Sequence, residues 1–160
     1  MTAVDHLEAA TADRIVVGID GSPSSTQALR WAVFMAAVTA STVEAVTVWH
    51  LPSVSSAGAW AAVTPYWQPG EDARKMLEDV VKEALPDGRP SSLRLTIREG
   101  ASAKVLLEVS ASARMLVVGS RGHGGFAGLL LGSVSTACSA HATCPVLVVH
   151  ADSTMPWTTS

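Results

Sequence analysis

Five short β-branched or wholly apolar runs punctuate this 160-residue chain: Arg14 to Asp20 (RIVVGID), Val43 to Trp49 (VEAVTVW), Leu93 to Arg98 (LRLTIR), Met115 to Gly119 (MLVVG) and Pro145 to His150 (PVLVVH). Between them, apolar residues recur at helical spacing: through about Thr39, from Glu71 to Leu85, from Gly100-Ala101-Ser102 to about Ala113, and from Gly132 to about Thr143. Strictly alternating strands and helices leave little topological freedom, because each helix must carry the chain back over the sheet in a right-handed crossover. The pattern therefore predicts an α/β fold: a single doubly wound, Rossmann-like open sheet of five parallel strands with helices on both faces. LRLTIR alternates apolar and polar residues and suits an edge strand with one exposed face.

Local punctuation fits this reading. Gly21-Ser22-Pro23-Ser24 opens the first helix, with either Ser22 or Ser24 as its cap. Pro86-Asp87-Gly88 ends the second. The connection from Leu51 to Gly70, rich in Ser, Ala, Gly and Pro, has no strong period. One domain over 14–150 is expected, with flexible ends at 1–13 and 151–160.

Composition excludes several classes. Only 16% of residues are charged and 48% are hydrophobic, against about 25% charged in an ordinary domain, so disorder of the whole chain is excluded. Eleven scattered basic residues and a formal charge of −3 give no footprint for nucleic acid, where phosphate neutralisation dominates. The stretch Gly122 to Ala151 carries no Asp, Glu, Lys or Arg. Its apolar run is nevertheless cut by Ser133, Ser135, Thr136, Ser139, His141, Thr143 and Pro145, which argues against a membrane span. Asp5, Glu8 and Asp13 in the N-terminal stretch argue against a secretory signal. A cytoplasmic protein with Cys138 and Cys144 as reduced thiols is expected.

Chemistry concentrates in the segment from Val117 to Ser135, which runs from a buried strand through glycines to a helix start. Residues without Cβ let backbone approach an anion, and free N–H groups at a helix start point at it with a favourable dipole. The hydroxyls of Ser133 and Ser135 would add donors; alternatively the glycines only make a turn and Ser133 only caps the helix. The end of a strand in an open α/β sheet is where such folds take ligands. Neither G-x-G-x-x-G nor a Walker motif occurs, so a nucleotide site would be of another type. Asp20, closing the first strand, can accept from sugar hydroxyls or cap the following helix. Arg121 is the one formal cation of the glycine loop. His50 and His123 are weaker ligand candidates. Cys138-x2-His141-x2-Cys144 reads as helix packing, lacking a fourth metal ligand. No G-x-S-x-G elbow and no general base for a γ-phosphate stand out, so a dedicated enzyme is not expected.

Gly119-x2-Gly122-x9-Gly132-Ser133, with LVVGSRG, LLLGSVS, CPVLVV and the early VVGIDGS, resembles the G-x2-G-x9-G-[S/T] signature of ATP-binding universal stress proteins over about Arg14 to His150. The resemblance implies strand order 3-2-1-4-5 and ATP across the ends of strands 1, 2 and 4. It assigns Gly18 and Asp20 to the end of strand 1, with Asp20 on the nucleoside, and Val48 to the adenine. Val118, Gly119, Arg121 and Gly122 fall to the ribose and phosphate loop, and Gly132, Ser133, Val134 and Ser135 to the triphosphate clamp. Mg²⁺ held mainly by the phosphates is expected to offset their charge. The resemblance also implies a homodimer through the uncovered last strand, Val146 to Val149.

The leading expectation is thus a nucleotide-dependent stress-response and signalling module with protein partners unknown. A nucleotide-independent interaction module, or a slow ATP hydrolase or phosphotransferase, are the alternatives. Two departures stand out: Arg114 where an acidic residue commonly precedes strand 4, and a neutral 51–70 connection whose Trp60, Tyr66 and Trp67 are expected to form a lid.

Overall fold

The protein is described from a computed structural model covering residues 13–51, 68–124 and 128–156. The N-terminal stretch up to 12, the lid expected over Trp60, Tyr66 and Trp67, and residues 157–160 lie outside the described residues. In chain order the elements are β1 (Arg14–Gly18), α1 (Pro23–Thr39), β2 (Thr42–Trp49), α2 (Pro69–Ala84), β3 (Leu93–Glu99), α3 (Ser102–Ser110), β4 (Met115–Gly119), α4 (Ser133–His141) and β5 (Val146–Val149). The strands form one parallel sheet of order β3-β2-β1-β4-β5, as the alternation and the resemblance together predict, and LRLTIR is an edge strand.

The two-residue period of the strands divides the core. Ile15, Val17, Val43, Ala45 and Val117 pack with Ala28, Leu29 and Ala32 of α1 and Leu77 and Val80 of α2. Their neighbours Val16, Val46, Leu116 and Val118 turn to the other face and meet Leu106 of α3 and Cys138 of α4. The central strand β1 is buried on both sides, which is why it reads as a continuous apolar run rather than an alternation. Burying a side chain such as Leu29, which has no exposed surface, contributes about 2 kcal/mol.

Helix ends differ from expectation at two places. α3 stops at Ser110 rather than near Ala113: the Arg114 N–H already donates to the Arg14 carbonyl, so the chain must turn before joining the sheet. α4 stops at His141 rather than near Thr143. Ala142 is extended, with ψ 142°, so the helix has already ended three residues before Pro145. Of the expected tail, residues 151–156 are described; there Met155 is buried and Gln27 donates to the Ser153 carbonyl. Arg114 forms an ion pair with Asp13.

At the N-terminal end of the sheet, β2 carries a buried carboxylate. Glu44 Oε2 accepts from Arg14 Nη1 at 2.6 Å and Glu44 Oε1 from Thr96 Oγ1 at 2.6 Å, while Arg14 Nη2 reaches the Val109 carbonyl at 2.8 Å. This network ties β1, β2, β3 and the last turn of α3. Removing one partner of a buried pair leaves the other charge uncompensated. Glu44→Ala should therefore lower the unfolding free energy by about 3 kcal/mol, read from the midpoint of urea denaturation; a change below about 0.5 kcal/mol would show the pair to be inert.

Candidate functional site

The first wall of the site is the turn from β1 into α1. Gly21 has φ +81°, a left-handed conformation that a side chain would strain. Ser22, not Ser24, caps α1, its Oγ accepting from the Ser25 N–H at 3.2 Å. Nor is Asp20 the cap: its Oδ1 accepts from the Ser22 N–H at 3.0 Å and from the Ser22 hydroxyl at 2.5 Å. Asp20 thereby braces the cap from outside while remaining exposed at the strand end.

The Ser24 hydroxyl is directed elsewhere, donating to the Arg121 carbonyl across the sheet. This bond accompanies a close approach between α1 and the end of β4. A Cβ on Gly119 would strike Ser24 Oγ and lie 2.8 Å from the Ser24 carbonyl carbon and 2.9 Å from the Ser25 nitrogen.

The second wall is the start of α4. Gly132 occupies the N-cap with no side-chain cap, so Ser133 begins the helix and does not cap it. The Gly132 N–H donates to the Ser120 carbonyl at 2.7 Å. Ser135 is buried, and its hydroxyl faces the Ser120 and Gly132 carbonyls, each at 3.0 Å. That hydroxyl is therefore committed to backbone and is not the free donor expected from the sequence. The backbone N–H groups of Ser133, Val134 and Ser135 have no acceptor among the described residues, which is the usual condition of a helix start without a cap.

Between these walls lies a cleft of about 920 Å³ at the C-terminal ends of β1, β2 and β4. This is the topological switch point of the sheet, where α1 leaves one face and α3 and α4 cover the other. The structure brings all of the candidate residues to its lining: Gly18, Asp20, Val48, Val118, Gly119, Arg121, Gly122, Gly132, Ser133, Val134 and Ser135. His123 also lines it, whereas His50 does not. Sequence reasoning missed the wall made by Ser102 and Leu106 of α3 and by Ala137, Ala140 and His141 of α4. The α4 residues follow Ser133 and Val134 at intervals of three and four, so helical spacing from the clamp was the available signal. Leu106 has no local signal, since its place depends on α3 packing beside β1 and β2.

Asp20 is the one carboxylate of the lining, which also includes Arg121, His123 and His141. Below the cleft, burial pushes the Cys138 thiol up, and the neighbouring Cys144 adds to the effect. Both cysteines pack in the core on the α3 and α4 side as free thiols. Among the described residues no three His, Cys, Asp or Glu side chains gather as a metal site, and no helix is long and apolar enough to cross a membrane.

The glycines of the motif have separate physical reasons. Gly119 is required by helix packing. A Cβ on Gly122 would sit 2.5 Å from Asp20 Oδ2, the end of an exposed side chain. A Cβ on Gly132 would meet nothing nearer than the Arg121 Cα at 3.5 Å, and its φ of −75° suits any residue. Hence Gly119→Ala should cost about 3 kcal/mol of unfolding free energy and Gly132→Ala less than about 1 kcal/mol, compared by urea denaturation.

A family model described as the universal stress protein family matches residues 11–150. A universal stress protein of Mycolicibacterium smegmatis is 37% identical over 153 residues, covering 91% of this chain and 51% of the relative. The chain spans about half the length of the curated relatives it matches. Among solved structures, UspA from Lactobacillus plantarum superposes with a TM-score of 0.66 at 18% identity, covering 85% of this chain and 96% of that one, a likeness of fold. A universal stress protein in complex with cAMP superposes with a TM-score of 0.61 at 28% identity, covering 89% of this chain and 99% of that one.

Proposed function

The chain belongs to the universal stress protein family, and on that premise we propose that it binds ATP and acts as a nucleotide-dependent stress-response and signalling module. The observation that carries this reading is the row of unpaired N–H groups on Ser133, Val134 and Ser135 at the edge of the cleft. Such a row takes an anion and costs no desolvated side-chain charge. Gly132 supports it, because the structure itself leaves room for a Cβ there and a close phosphate would take that room. The volume of about 920 Å³ lies at the upper end of the ~300–1,000 Å³ of small-molecule sites. A similar solved structure, a universal stress protein in complex with cAMP, supports a nucleotide ligand.

In this reading Asp20 accepts from the ribose hydroxyls, and Val48 with Gly18 and Val118 lines the base and sugar end. Gly119, Arg121 and Gly122 follow the phosphates to the start of α4. With Asp20 the one carboxylate of the lining, Mg²⁺ is held mainly by the phosphates and offsets their charge. Heating the purified protein should release adenine nucleotide into the supernatant. Calorimetry with Mg²⁺ should show ATP binding that falls at least tenfold in Gly132→Ala while that variant keeps its unfolding midpoint. Absence of both nucleotide and binding would leave the nucleotide-independent interaction module as the better reading. The exposed Leu129 and Leu130 at the rim would then favour it.

Nucleotide occupancy sets the state of a homodimer formed along β5. That strand pairs with β4 on one side and with no described strand on the other. The Pro145 and Val149 carbonyls accept from β4, so by the two-residue period Val146 and Val148 direct their N–H groups to the open edge. Val148→Pro removes an outward donor and keeps the ladder to β4. Light scattering after size exclusion should give a dimer for the native chain and a monomer for Val148→Pro; equal masses for both would refute edge pairing.

A further inference from the structure

His123 stands where the two walls of the cleft meet. It is exposed, lines the cleft beside Gly122 and Gly124, and follows Arg121 by two positions. Its ring lies over the β1–α1 turn: a Cβ on Gly21 would be 3.4 Å from His123 Nε2 and 3.2 Å from Met76 Cγ of α2. Asp20 reaches the same junction from the other side, its Oδ2 being 2.5 Å from where a Gly122 Cβ would be. Within the described residues no hydrogen bond or ion pair claims either ring nitrogen. An imidazole held at the rim of an anion site, with its nitrogens unengaged, has donors to give.

Resting on the nucleotide reading above, we propose that His123 is a phosphate-contacting residue of this cleft, its imidazolium form supplying a second movable positive charge after Arg121. The cleft otherwise meets phosphate with backbone N–H groups, whose partial charges do not titrate. A histidine that meets phosphate in its imidazolium form makes the strength of that contact depend on pH. The charged and titratable groups around it come from the end of β1, its own loop, α2 and α4. Asp20 approaches from β1 and Arg121 from its own loop. Asp72, Lys75, Asp79 and Glu83 of α2 line the groove that shares Gly21 and Met76, and His141 lies along α4.

The test compares the full-length native chain with H123Q, titrated with MgATP and with adenosine at pH 6 and pH 8 and constant ionic strength. Because the terminal phosphate of ATP titrates in the same range, the quantity read is the ratio of native to variant affinity at each pH. That ratio should be about fivefold at pH 6, as for a partly solvated charge pair, and approach one at pH 8. With adenosine it should stay near one at both. H141Q should retain the native pH dependence. A ratio near one for MgATP at both pH values overturns the proposal. So does a ratio independent of pH, which would reveal lost packing over Gly21 and Met76, and so does transfer of the pH dependence to His141. If the native chain binds no MgATP at either pH, the nucleotide reading itself falls and His123 with it; binding without a His123 effect leaves that reading intact.

Discussion

The first turn of α1 lies so close to the end of β4 that hydrogen is the only substituent the Gly119 Cα admits. Much of the site follows from this contact. It brings the Ser24 hydroxyl to the Arg121 carbonyl, which fixes the direction in which the chain leaves the sheet. That direction carries Arg121 and Gly122 past the Asp20 carboxylate and against Gly132. A larger separation between helix and strand would leave the glycine loop without a floor and the start of α4 without an opposing wall. Small residues along α1 serve the same end, since Ala28, Ala32 and Ala36 let the helix sit low on the sheet.

The two ends of the sheet carry different burdens. At the N-terminal end, Glu44 accepts from Arg14 and Thr96, and Arg14 also donates to the Val109 carbonyl, joining three strands, while the buried Arg14 Nε has no partner among the described residues. At the C-terminal end, polar groups are left unsatisfied by the protein itself. A helix start with glycine in place of a capping side chain gives up only about a few tenths of a kcal/mol, and this one does so at a cleft. The start of α4 thus leaves its backbone donors open at the cleft.

Much of this was legible in the amino-acid sequence, because the informative features are local. RIVVGID and MLVVG announce buried parallel strands by their continuous apolar character, PVLVVH has the same character at a half-buried edge, and the residues around the glycine motif all reach one cleft. What escaped depends on distant partners. Nothing near Glu44 in sequence indicates that a carboxylate in the middle of VEAVTVW would be satisfied by Arg14 and Thr96 from the flanking strands. Nothing near Leu106 indicates a cleft wall. Gly119 reads in sequence as a point of ligand approach and does line the cleft, but the position a Cβ would take there is occupied by Ser24 and Ser25. By its place in sequence the Ser135 hydroxyl reads as a donor to phosphate, but one hydroxyl hydrogen cannot serve both a ligand and the carbonyls of Ser120 and Gly132. The end of α3 was overestimated because propensity does not register where the sheet ladder reclaims the chain.

The Ser120 carbonyl accepts from the Gly132 N–H at one end of the glycine segment and faces the Ser135 hydroxyl beyond it. The two feet of the segment are thus knotted to a single oxygen. Loop-closure entropy grows only slowly with length once the ends are joined, so this shared oxygen, and not the length of chain between its two feet, is what holds the start of α4 against the end of β4.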